Sequence, residues 1–254
     1  MSDPDPAACL LAGILALWGV AMSPFERWAY RAGAGVSRKF LAYAVTILSL
    51  WTCTAVAVRL YGWSPLLISP APMTAWLPIP RLLAPALVVV LAAFCLLALL
   101  PLVQSLRGLR WRRAYQVAIR RDFARIPGFI PDTAAERAVW VVISLTAGLC
   151  EEVMYRGFLI RFLHEGTFGL PVAGALAVSC LCFGLGHVYQ GLKGAANTTI
   201  AGFGFGVLFL LGGSLVPGMV LHALIDLQMV YVMRPIPGDA ASTAAEMDVT
   251  PLRT

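Results

Sequence analysis

The sequence predicts an all-α membrane protein: a polytopic transmembrane helical bundle of about seven membrane helices plus one interfacial amphipathic helix. Three observations carry this. About 59% of the 254 residues are hydrophobic, 13% are charged, and mean hydropathy is +0.80, whereas soluble domains carry roughly twice that share of charge. The apolar residues come in runs of about 20, the length that crosses a hydrocarbon core. The basic residues gather in connecting segments that fall on one side when the runs are threaded through a bilayer.

The first run, Ala7 to Met22, follows acidic Asp3 and Asp5. A cleavable leader has a basic segment there, so this reads as a retained helix with its N-terminus outside. Arg27, Arg31, Arg38 and Lys39 then mark a cytoplasmic loop, and a second helix spans Phe40 to Tyr61. Gly62 to Pro80 is uncharged and holds Pro65, Pro70, Pro72, Pro78 and Pro80, which predicts an outer or re-entrant loop. A third helix covers Leu82 to Val103.

Residues 104–137 form a basic segment with Arg107, Arg110, Arg112, Arg113, Arg120, Arg121 and Arg125. Interleaved Leu106, Leu109, Tyr115, Ala118, Ile119 and Phe123 predict an amphipathic helix on the cytoplasmic interface. Ile126-Pro127-Gly128 begins the turn that ends it. Four further helices are expected at Ala138 to Leu163, Pro171 to Tyr189, Gly194 to Leu211 and Ser214 to Met233, with a disordered tail from 235 to 254. The organisation is thus 1–103, 104–137, 138–234 and 235–254. Gly202, Gly204 and Gly206 suit close helix packing and lack the strand that a dinucleotide loop follows.

The net charge of +6 and pI of about 9.2 come largely from the basic segment. Nothing resembles a base-reading module, so nucleic acid is excluded in favour of anionic lipid head groups. The six cysteines all lie in apolar runs and act as small hydrophobes; Cys180 and Cys182 make no CxxC motif.

Ionisable groups inside membrane helices cost several kcal/mol unless paired or hydrated, so they are functional candidates. Glu151 and Glu152 point about 100° apart on a helix. Glu152 and Arg156 are one turn apart, the spacing of an intrahelical ion pair, which leaves Glu151 facing a different neighbour and suited to general-base work. His187 closes the fifth helix; His222 and Asp226 share a face of the seventh. His164, the remaining histidine, is expected to be solvated in a short loop.

The E-E-x-x-x-R of 151–156, the F-x-x-x-H of 183–187 and the H-x-x-x-D of 222–226 resemble the signature of the CAAX protease and bacteriocin-processing family, also called the ABI family of intramembrane endopeptidases. The resemblance covers roughly 138–234. It implies that Glu151 and His187 activate a water for attack on a peptide carbonyl, that His222 and residue 226 stabilise the oxyanion, and that Glu152 and Arg156 hold the site together. The family most often has Asn where Asp226 stands, and an ionised Asp cannot donate a hydrogen bond. The implied substrates are prenylated C-a-a-X tails, leader peptides or other membrane-associated peptides. The chain's own Pro251-Leu252-Arg253-Thr254 is no C-a-a-X box. The implied location is a bacterial inner membrane.

His, His and a carboxylate also suit zinc with one position open. The family has been described as both metal-dependent and glutamate-type, and the absence of H-E-x-x-H favours the metal-free version; zinc or no cofactor both stand at this level. Two rival classes are a proton-coupled carrier, which calls for related halves or paired broken helices that are not found, and a catalytically silent immunity or scaffold protein. One difficulty follows from the expected helix ends. Glu151 lies deep in its helix while His187 lies near the cytoplasmic face, so the fifth helix must be longer, tilted or displaced inward for them to meet.

Overall fold

The structure is a computed structural model that describes residues 5–68, 84–166 and 168–236. It is a helical bundle, and the protein is an integral membrane protein. Helix α1 (Pro6–Ala29) opens with Asp5 accepting a 2.8 Å bond from the Ala7 amide and with Pro6 in its first turn, a combination that satisfies one orphan amide and removes another. It runs a full two turns past its expected end. Helix α2 (Val36–Tyr61) stops at Gly62, whose φ of 77° ends the helix where other residues are strained. A short α3 (Trp63–Leu67) follows, with Leu66 buried. The loop expected over 62–80 is thereby corrected at its start; its remainder from 69, and the expected tail from 237 onward, lie outside the described residues.

Helix α4 (Ala84–Arg107) leads through Gly108 into α5 (Leu109–Asp122), the expected basic amphipathic helix. Its inner face is tied to the chain's far end: Gln116 Nε2 donates to the carbonyls of Val232 and Arg234, both at 2.8 Å. A single 3-10 turn (Pro127–Phe129) then leads to α6 (Ala134–Glu151). Thr133 and Glu136 close a reciprocal capping box at its start, and Glu136 also holds the buried Lys39 of α2 at 3.1 Å. The same rod continues through a π-helical stretch, Glu152–Leu159, into α7 (Ile160–Glu165). Helices α8 (Val172–Leu185), α9 (Leu192–Gly212) and α10 (Val216–Val232) complete the fold.

Among the described residues, five helical rods are long and apolar enough to cross a membrane; α8 and α10 are apolar but shorter. At 1.5 Å per residue, the 14 residues of α8 and 17 of α10 span about 21 and 26 Å, less than the roughly 30 Å of a hydrocarbon core. The expectation that α8 continues to Tyr189 is therefore corrected. It ends four residues earlier because the backbone turns at Gly186, passes through a 3-10 turn (Val188–Gln190) and re-enters α9 at Gly191 with φ 86°. His187 falls in this turn and lines the same cavity as Glu151. His164 is corrected as well: it sits in the last turn of α7, where its Nδ1 lies 2.7 Å from the Leu170 carbonyl oxygen.

The main core joins α1 and α2 to the later helices, from Ala8 and Leu15 through Cys150, Phe158 and Phe183 to Leu215. Glycines set its closest approaches. A Cβ on Gly148 would lie 2.8 Å from the Ala223 amide nitrogen and 2.9 Å from the Met219 carbonyl oxygen, so α6 and α10 touch backbone to backbone beside His222. Gly148→Val should push these helices apart, with overpacking costing about 1–3 kcal/mol. Thermal unfolding of the variant in nanodiscs checks this; an unchanged transition would refute the close contact.

Candidate functional site

The π stretch carries the site's charged floor. Its Glu152 and Arg156 are 0% and 1% exposed, burial that costs several kcal/mol per ion unless geometry compensates it. Compensation is visible on every side. Arg156 Nη1 donates to Glu152 Oε1 at 3.0 Å and Nη2 donates to the Gly202 carbonyl at 3.1 Å. Its guanidinium also lies 4.3 Å from the Phe183 ring centre and 5.3 Å from that of Phe205, a cation–π sandwich. Gly202 leaves room for this pair: a Cβ there would lie 3.0 Å from both Arg156 Nη2 and the Phe183 ring, so the two would have to shift. The π geometry leaves helix carbonyls in need of partners, and Ser179 Oγ from α8 donates to that of Tyr155 at 2.7 Å.

His222 on α10 stands over this floor, stacked on Phe205 at 4.9 Å and met edge-on by Phe183 at 5.8 Å. Its Nδ1 is 2.9 Å from Glu152 Oε1, its Nε2 is 3.6 Å from Glu151 Oε2, and Asp226 Oδ2 lies 3.9 Å from the same Nε2. The expectation that Glu151 faces a different neighbour from Glu152 is corrected here. Both reach one imidazole, because the roughly 100° between adjacent helical residues is spanned by a ring that offers nitrogens on two edges. Nδ1 donates to Glu152 Oε1 at 2.9 Å, whereas Glu151 at 3.6 Å is too far for a hydrogen bond and pairs with Nε2 by charge only if the ring is protonated. Glu152 thus does more than pair with Arg156: it fixes the orientation of His222.

His187 belongs to the turn after α8. Its Nδ1 lies 2.8 Å from the Phe183 carbonyl oxygen, which only accepts, so Nδ1 carries a proton and Nε2 is left as the acceptor in the neutral ring. A cavity of about 470 Å³ joins these elements, and Glu151, His187, His222 and Asp226 all line it. Glu152 and Arg156 lie beneath, outside its lining. All six residues singled out by the sequence therefore meet at one place, four on the cavity and two as its support.

The sequence reading missed the opposite wall. Trp18, Met22 and Glu26 of α1 and Ser49 and Cys53 of α2 line the same cavity. Ending the first helix at Met22 put Glu26 in a loop; an apolar pattern that resumes through Trp28 and Ala29 was the signal available. Gly19 of α1 abuts the Leu185 carbonyl and Gly186, and a Cβ there would collide with both.

Zinc does not fit this arrangement as it stands. Among the described residues no three His, Cys, Asp or Glu side chains converge to hold a metal ion, and His222 Nδ1 is engaged by Glu152. The six cysteines are free and none reaches the His222 cluster as a ligand.

Fold and site together define a helical membrane bundle with a cluster of acidic and histidine side chains on a partly open cavity. Residues 133–228 match the family described as Rce1-like, Type II CAAX prenyl endopeptidase Rce1-like. The family resemblance carried by the three motifs is thereby borne out over that segment, which is similar to the CAAX-type membrane endopeptidases; residues 1–132 stand outside the match. No curated protein and no solved structure matches the chain.

The buried pair yields a stability prediction. Arg156→Leu leaves the Glu152 carboxylate without its guanidinium and should lower unfolding stability by about 3–5 kcal/mol, whereas Glu152→Leu with Arg156→Leu should be less damaging. Denaturant titration in mixed micelles measures both; a double variant worse than the single would contradict the pairing.

Proposed function

We propose that the protein is an intramembrane endopeptidase of glutamate type that hydrolyses peptide bonds of membrane-associated substrates. The single observation that supports this most is the convergence of Glu151, His187, His222 and Asp226 on one cavity within the segment that matches the protease family. Glu151 is the general base: its Oε2 is buried without a hydrogen-bond partner, so it is placed to take a proton from a water entering the cavity. His187, with Nδ1 held by the Phe183 carbonyl, turns its accepting Nε2 to the second hydrogen of that water and orients it.

The hydroxyl oxygen then bonds to the substrate carbonyl carbon and the carbonyl π electrons move to oxygen. A proton held at His222 Nε2 donates to that oxyanion, while Glu152 and Arg156 keep the ring in place beneath it. Asp226 acts through His222 and not as a direct donor, consistent with its 3.9 Å approach to Nε2. On collapse, the C–N bond breaks and Glu151 returns its proton to the leaving amine. The substrates we favour are prenylated C-a-a-X tails or leader peptides. The membrane is a bacterial inner membrane, with the N-terminus outside and the Arg-rich helix cytoplasmic, where Trp111 and Val117 are exposed beside its arginines and suit an anionic lipid surface.

Glu151→Gln in purified, reconstituted protein should reduce cleavage at least about 100-fold, the lower range for loss of a general base, with an unchanged melting transition. Cleavage at the wild-type rate by a folded Glu151→Gln protein would end this reading.

A further inference from the structure

Three features of the cavity's α1 wall remain unused by this mechanism. First, Glu26 lines the cavity and its Oε2 is buried without a hydrogen-bond partner. Neighbouring Arg27 donates instead to Ser23 Oγ, and the cavity's one lysine, Lys193, is held by Asp122 at 2.8 Å. Second, Glu26 is seven residues after Gly19, two helical turns along the same face and about 10 Å along the axis. Gly19 abuts Gly186, the residue before His187. Third, aromatic rings pave the way between them. Tyr189 lies 5.9 Å from the His187 ring, Phe129 lies 5.6 Å from Tyr189, and Tyr30, one turn beyond Glu26, lies 5.4 Å from Phe129. Tyr30, Phe129 and Tyr189 all line the cavity.

A carboxylate with an unbonded oxygen, on a cavity also lined by several aromatic rings, is chemistry that holds a cation. We propose that Glu26 is a specificity-determining residue that receives a lysine or arginine side chain of the peptide substrate. An extended peptide rises about 3.3 Å per residue, so 10 Å places that basic residue about three positions from the bond at His187. This rests on the proteolytic reading above and deepens it, naming a basic residue near the scissile bond as part of the substrate class.

The test compares wild type, Glu26→Gln and Glu26→Lys in nanodiscs, each given a randomised peptide library whose cleaved products are sequenced by mass spectrometry. Wild type should enrich Lys and Arg about fivefold at two to four residues from the cut, within the range of a partly desolvated charge pair. Glu26→Gln should lose that enrichment, and Glu26→Lys should shift it to Asp and Glu. An enrichment unchanged by Glu26→Gln, or no basic enrichment in wild type, overturns the proposal. A second arm needs no turnover. Fluorescence anisotropy measures binding to Glu151→Gln protein of a labelled 12-residue Leu/Ala peptide carrying one Lys, and of its norleucine twin. The Lys peptide should bind about fivefold tighter, and adding Glu26→Gln should erase the difference; equal affinities overturn the proposal. If wild type cleaves no peptide, the proteolytic reading falls and this binding arm alone decides the role of Glu26.

Discussion

The buried contact between Arg156, Glu152 and His222 is the constraint on which the rest of the structure depends. Two charges held at 0% and 1% exposure are tolerable only while every partner stays in place. Those partners come from four parts of the bundle: the π stretch itself, Phe183 of α8, Gly202 and Phe205 of α9, and His222 of α10. Moving any one helix away strands a charge. The pair therefore acts as a register pin for the C-terminal core, and it does so directly beneath the residues that face the cavity.

Reaching that arrangement requires helices closer together than large side chains allow. Gly148 lets α6 meet the backbone of α10, Gly202 makes room for the guanidinium, and Gly19 brings α1 against the turn that carries His187. Shortness complements closeness. With α8 ending at Leu185 and re-entry at Gly191, a polar turn lies where a full-length membrane helix would continue. Irregular backbone at such depth is tolerated where it lines a cavity, and the cavity beside His187 meets that condition.

The N-terminal helices are more than a membrane anchor. They share the main hydrophobic core with the later helices and supply a whole wall of the cavity, although the family match begins only at residue 133. The chemistry and the surroundings that meet a guest thus come from different parts of the chain. Glu26 sits on the wall outside the matched segment.

Much was legible from residue order alone. Run lengths and loop charge determined a helical membrane bundle, an amphipathic helix within the basic segment 104–137 and the ion pair of Glu152 with Arg156, because bilayer thickness and the helical repeat are local rules that act on consecutive residues. The six charged or titratable candidates were also legible, since ionisable groups are rare inside apolar runs. Tertiary structure decided what those rules cannot reach. It turned Glu151 and Glu152 to the two edges of His222, ended α8 early at Gly186, opened the helix into a π stretch, and set Glu26 on the cavity. Each of these depends on which side chain or backbone from a distant helix occupies the neighbouring space, and no local repeat encodes that.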